Sequence, residues 1–106
     1  MKVSKQRQFK KEERKFQAEL ITEIKEKFPG CIVMKNDANY IQGIPDLLVL
    51  HEKHWASLEC KRSEDSPHRP NQDYYVEKMN NMSFSRFIFP ENKEEVLNEL
   101  EQSFKS

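Results

Sequence analysis

The sequence predicts an α/β domain: a small mixed sheet flanked by helices, with element order αβββαβα. Three observations carry this. Apolar residues recur at helical spacing over residues 8–28, Leu47–Leu50 is a continuous apolar run, and a second apolar helix pattern closes the chain after Pro90. At 106 residues the chain is expected to be one domain spanning 1–106, with residues 1–8 as a basic arm.

In the first helix, Phe9, Phe16, Leu20, Ile24 and Phe28 fall on one side, and Pro29-Gly30 stops it. Cys31 to Met34 reads as a short strand, and Asn36 to Gly43 as a polar loop. Leu47-Leu48-Val49-Leu50 reads as a strand covered on both faces. His51 to His54 is a turn, and the alternating Trp55 to Lys61 is the next strand. Ser63 to Pro70, with two prolines, is an exposed loop. A helix follows from Asn71 to Met82, with Tyr75, Val76, Met79 and Met82 as its apolar stripe. Phe84 to Phe89 is an aromatic and branched strand. Asn92 with Glu95 three residues later has the form of a capping box. Val96, Leu97, Leu100 and Phe104 give the last helix its apolar face.

The net charge of zero conceals an asymmetry. Residues 1–15 carry seven basic side chains (Lys2, Lys5, Arg7, Lys10, Lys11, Arg14 and Lys15) against Glu12 and Glu13. The remainder holds eleven basic and sixteen acidic residues. A basic arm on an acidic body suits a phosphate backbone, and equally suits a solvated terminus. Lys5, Arg7, Lys10, Lys11 and Arg14, with Arg62 and Arg69 further on, are the expected nucleic-acid contacts. Cys31 and Cys60 lack metal or redox spacing and read as reduced core thiols of a cytoplasmic protein. No apolar run is long enough to span a membrane, and none follows the basic N-terminus as a signal peptide requires. His51, His54 and His68 fit no zinc pattern. Trp55 and the seven phenylalanines are expected mostly in the core, with base stacking a lesser alternative for one or two in the N-terminal part.

The chemistry is concentrated in Gly43-Ile44-Pro45-Asp46 and Glu59-Cys60-Lys61. If the hairpin turn is centred on Glu52-Lys53, opposed positions have numbers that add to 105, and Asp46 faces Glu59. A three-residue loop would send Asp46 to the other face, and the sequence leaves that parity open. Glu59 and Lys61 share a strand face, while Ala56, Leu58 and Cys60 take the core face. Two desolvated carboxylates repel, and a hard divalent cation, Mg²⁺ or Mn²⁺, relieves the conflict. Such an ion activates a water and a phosphodiester, and Lys61 offsets the charge that develops. The bland alternative is a surface salt bridge between Glu59 and Lys61. Glu13 interrupts the apolar stripe of the first helix and is either site-linked or part of a frayed turn. Gln72 either extends the buried stripe of its helix toward a phosphate or water, or faces solvent.

Glu13-x-x-x-Gln17, Gly43-Ile-Pro-Asp46, Glu59-x-Lys61 and Gln72-x-x-Tyr75-Val76 together resemble the VRR-NUC branch of the PD-(D/E)XK nucleases, from about Glu12 to Leu100. The resemblance implies a restriction-endonuclease-like αβββαβ core with a C-terminal helix. It implies Asp46 and Glu59 as metal ligands, the Cys60 carbonyl as a third, Lys61 as the catalytic lysine, Glu13 completing the acidic site and Gln72 supporting it. Stand-alone members of this size resemble phage-encoded homodimeric nucleases that cut four-way DNA junctions in the host cytoplasm, without a small-molecule cofactor. The expected activity is thus metal-dependent, structure-selective DNA cleavage by a homodimer, paired through the N-terminal arm or the last helix. The alternatives are a general or sequence-specific DNA nuclease acting on duplex, or a non-catalytic branched-DNA-binding protein of the same fold.

Overall fold

The computed structural model describes residues 4–106. Its elements are α1 (Lys5–Lys27), β1 (Ile32–Lys35), β2 (Leu47–His51), β3 (His54–Cys60), α2 (Gln72–Met82), β4 (Ser85–Ile88) and α3 (Lys93–Lys105). The four strands form one mixed sheet in the order β1-β2-β3-β4. β1, β2 and β3 are antiparallel neighbours, and β4 returns parallel to β3 after the α2 crossover. The α/β class and the αβββαβα order are as the sequence predicts.

α1 starts earlier than its apolar pattern. Ser4 is the N-cap, its side-chain oxygen accepting the Arg7 backbone N–H at 3.3 Å. Lys5 and Arg7, expected in an arm, therefore lie in the first helical turn; Lys2 lies outside the described residues. A serine hydroxyl meets an otherwise orphaned helix donor, and this local bond extends the helix beyond the stretch that packs on the sheet.

The β2–β3 hairpin turns on two residues. His51 pairs with His54, and the pairing continues through Leu47 and Leu58. Glu52 takes φ 54° at the first turn position, which lets so short a loop follow the strand twist. The register settles the parity left open by the sequence and puts Asp46, one residue before β2, opposite Glu59.

One face of the sheet carries the core. Leu47, Val49, Ala56, Leu58, Cys60 and Ile88 pack under Phe16, Leu20 and Ile24 of α1 and Val96, Leu100 and Phe104 of α3. Each fully buried leucine or isoleucine contributes on the order of 1.5–3 kcal/mol. The apolar face of α3, one of the two candidate pairing surfaces, is thus buried against the sheet. Asn92 starts α3 without a side-chain cap; its Oδ1 instead accepts the Phe89 N–H and its Nδ2 donates to the Phe87 carbonyl, fastening the turn after β4.

α2 lies on the opposite face, over β3 and β4. The hydroxyls of Ser57 and Ser85 meet beneath it, 2.7 Å apart. Of its expected apolar stripe, Val76 is buried, Tyr75 and Met79 are half-buried, and Met82 is exposed. On the β1–β2 half of this face, Ile32 is 58% and Met34 47% exposed, beside half-buried Leu48, Leu50 and Trp55. Leu48 and Leu50 are therefore only partly covered, unlike Leu47 and Val49. Cys31 is half-buried and Cys60 buried, and both are free thiols. No described helix is long and apolar enough to cross a membrane.

Candidate active site

The entry to β2 and the exit of β3 lie side by side, and this end of the sheet is where the polar residues gather. Asp46 is held on both sides. The Asn36 backbone N–H donates to the Asp46 carbonyl at 2.8 Å, and Asn36 Nδ2 donates to the Pro45 carbonyl at 2.9 Å. The Asp46 carboxylate accepts the Cys60 backbone N–H at 3.0 Å. Gly43 sits at φ +90° against the segment that opens α2; a Cβ there would lie 2.6 Å from Asn71 Cβ and 2.8 Å from the Pro70 carbonyl oxygen. Only glycine allows this approach.

Strand alternation delivers Glu59 and Lys61 to the same face. They are 2% and 4% exposed, and Lys61 Nζ lies 4.0 Å from Glu59 Oε2. This is not a surface salt bridge. Gln72, the first residue of α2, is buried between them. Its Nε2 donates to Glu59 Oε2 at 3.1 Å, and its Oε1 accepts Lys61 Nζ at 2.7 Å and the Arg69 N–H at 2.8 Å. Lys61 Nζ also donates to the Pro67 carbonyl at 3.1 Å. These contacts fix which end of the amide carries oxygen.

Glu59 Oε1 is buried and has no hydrogen-bond partner. An unpaired buried carboxylate oxygen is costly. Burial chiefly, then the charge of Asp46, pushes the Glu59 carboxyl up to about 9. Burial also raises Asp46 above the usual carboxylate range, against the hydrogen bond from Cys60. Glu13 is raised too, mainly by its own burial and then by Asp46. Three carboxyls with a shared bias toward protonation form an electrostatic site that favours a cation.

The donor set fits a hard divalent ion with one qualification. Among the described residues no three His, Cys, Asp or Glu side chains come together as a ligand group. Glu13 lines the same cleft, close enough to Asp46 for their charges to interact. Asp46 and Glu59 supply two carboxylates, which suffices for Mg²⁺ because it keeps several waters and accepts backbone oxygens. The Cys60 side chain itself turns into the core, and burial pushes its thiol further from ionisation.

These residues line a cleft of about 810 Å³ between α1, the 36–46 loop and the 62–71 loop. Of the expected nucleic-acid contacts, Lys10, Arg14, Arg62 and Arg69 line it, whereas Lys5, Arg7 and Lys11 do not. Phe9, expected in the core stripe, is exposed in the cleft beneath the Arg62 guanidinium. Its spacing matched the core residues, but the ring meets the Arg62 guanidinium instead of the apolar core. His51 and His54 stack on Phe104 at the hairpin, and His68 pairs with Asp73. The chain matches no family model, no curated protein and no solved structure.

Proposed function

We propose that this protein is a metal-dependent DNA endonuclease of the VRR-NUC type, selective for branched DNA such as four-way junctions and acting as a homodimer. The observation that carries the reading is the unpartnered, buried Glu59 Oε1 beside Asp46, with a buried lysine on the same face. Desolvated charge costs stability, so its retention at the floor of a basic-walled cleft points to a ligand cation and a phosphate.

Asp46 and Glu59 would hold Mg²⁺ or Mn²⁺. When bound, such an ion polarises a phosphodiester and acidifies a coordinated water. Gln72 and the Pro67 carbonyl hold the Lys61 ammonium in one place, so it meets negative charge developing on the phosphate without reorganising. Gln72 ties Lys61 to Glu59 and keeps the spacing of the two charges. Lys10, Arg14 and Arg69 on the cleft walls receive the neighbouring phosphates. The phosphate contacts read shape and charge, not base identity, which favours structural selectivity.

One site cuts one strand, so paired cuts at a junction need two copies related by a two-fold axis. The exposed Ile32–Met34 face supports such pairing better than α3, whose apolar side is already buried. Gel analysis of four-way junction, flap and linear duplex with and without Mg²⁺ tests the reading. Wild type is expected to cut the branched substrates only with the metal, and Lys61→Ala and Asp46→Asn to cut neither while keeping their circular dichroism. Wild type that cuts no branched DNA ends the proposal; equal cutting of linear duplex ends the claim of selectivity.

A further inference from the structure

Phe9 occupies a position that packing does not account for. It is 38% exposed, lines the same cleft as Asp46, Glu59 and Lys61, and carries the Arg62 guanidinium 3.6 Å from its ring centroid. Arg62 directly follows Lys61, so the stacked pair is joined to the charged centre from two sides: through β3 and through α1. Phe9 precedes Glu13 by four residues, one helical turn or about 6 Å along the axis. The ring thus shares one cleft with the carboxylates, a helical turn from Glu13.

We propose that Phe9 and Arg62 form a stacking platform for an unpaired base next to the phosphate held at Asp46 and Glu59, and that this platform selects DNA with an unstacked nucleotide over continuous duplex. The inference rests on the nuclease reading and adds to it the means of selection. A base within a duplex has both faces covered by its neighbours and cannot reach the ring. A base at a branch point or flap has a free face, and stacking on an aromatic ring accepts any base. The guanidinium suits the same role: it sits over the ring at 3.6 Å, and guanidinium N–H groups pair with phosphate. The part of the Phe9 ring that Arg62 leaves exposed is apolar surface in a polar, basic cleft, and a nucleobase is a flat partner that fits it.

The test uses the full protein without metal and 2-aminopurine placed either at the unpaired position of a flap or in linear duplex. Wild type is expected to quench the unpaired probe on binding. Phe9→Ala and Phe9→Leu are expected to lose the quench and to bind the flap about 10-fold more weakly, with linear-duplex binding unchanged. Phe9→Trp is expected to keep both. Phe9→Leu that quenches and binds like wild type overturns the platform, as does an equal loss on flap and duplex. Wild type that binds no DNA overturns both the platform and the nuclease reading. Flap-selective quenching by a protein that never cuts keeps the platform and removes only the catalytic claim.

Discussion

Asp46 is tied to the strand that bears Glu59 by the Cys60 backbone N–H, which reaches its carboxylate at 3.0 Å. The bond fixes one carboxylate relative to the other through main chain, so the pair is preorganised before any ligand arrives.

Gln72 bridges Glu59 and Lys61, and its removal leaves two buried charged groups short of a partner each. Gln72→Ala is expected to lower stability by about 1–3 kcal/mol in urea unfolding. Cleavage is expected to fall by at least about 10-fold, because Lys61 gains freedom it now lacks. Gln72→Ala with unchanged stability and unchanged cutting would leave the bridge without a role.

The Glu59 carboxyl, pushed up to about 9 from 4.5, prefers its protonated form in the fold. The stability it contributes is fully present below the unfolded value and is lost as pH rises through the folded one. Metal-free protein should therefore melt at progressively lower temperature from about pH 5 to about pH 9. Mg²⁺, which needs the ionised carboxylates, should raise the melting temperature more at the upper end of that window. Glu59→Gln should flatten both trends in scanning fluorimetry, and trends that persist in it would assign them to other groups.

The two thiols should behave differently. Cys60 is buried in the core, and its thiol is pushed up chiefly by burial and then by Asp46. Cys31 is half-buried at the end of α1, its Sγ 4.0 Å from the Ile24 carbonyl oxygen. A colorimetric thiol reagent should titrate one equivalent in the native protein and two in denaturant. Two fast native equivalents would show that the core opens readily around β3.

The Ile32–Met34 face gives the pairing proposal its own check. Ile32→Lys with Met34→Glu should shift the protein from dimer to monomer in light scattering, with folding stability changed by no more than about 0.5 kcal/mol, since both side chains already meet solvent. A wild-type protein that is monomeric with and without DNA would remove the dimer from the proposal.

The sequence was most legible where periodicity and local chemistry agreed. Glu59 and Lys61 share a face because strands alternate, and Leu58 and Cys60 point inward for the same reason. Asp46 was legible only up to loop parity, which the left-handed Glu52 decides. Phe9 and Met82 were misplaced for a common cause. Their spacing names a side of a helix, whereas burial depends on what lies beneath that side. Asn92 carried a capping signal, but the turn after β4 offered its side chain two other partners. The bridging by Gln72 depended on the 62–71 loop bringing Arg69 and Pro67 beside β3, a long-range event that no local pattern encodes.

The tight contact at Gly43 makes two distant stretches of chain behave as one. The loop that leads to Asp46 and the segment that opens α2 at Gln72 meet there with no room for a methyl group. Even alanine at this position would have to wedge them apart, and with them the Asp46 carboxylate and the amide that steadies the lysine. The hinge-like freedom usually credited to glycine is here reversed: the smallest residue serves as a weld, and the geometry of the cleft floor depends on a side chain that is not there.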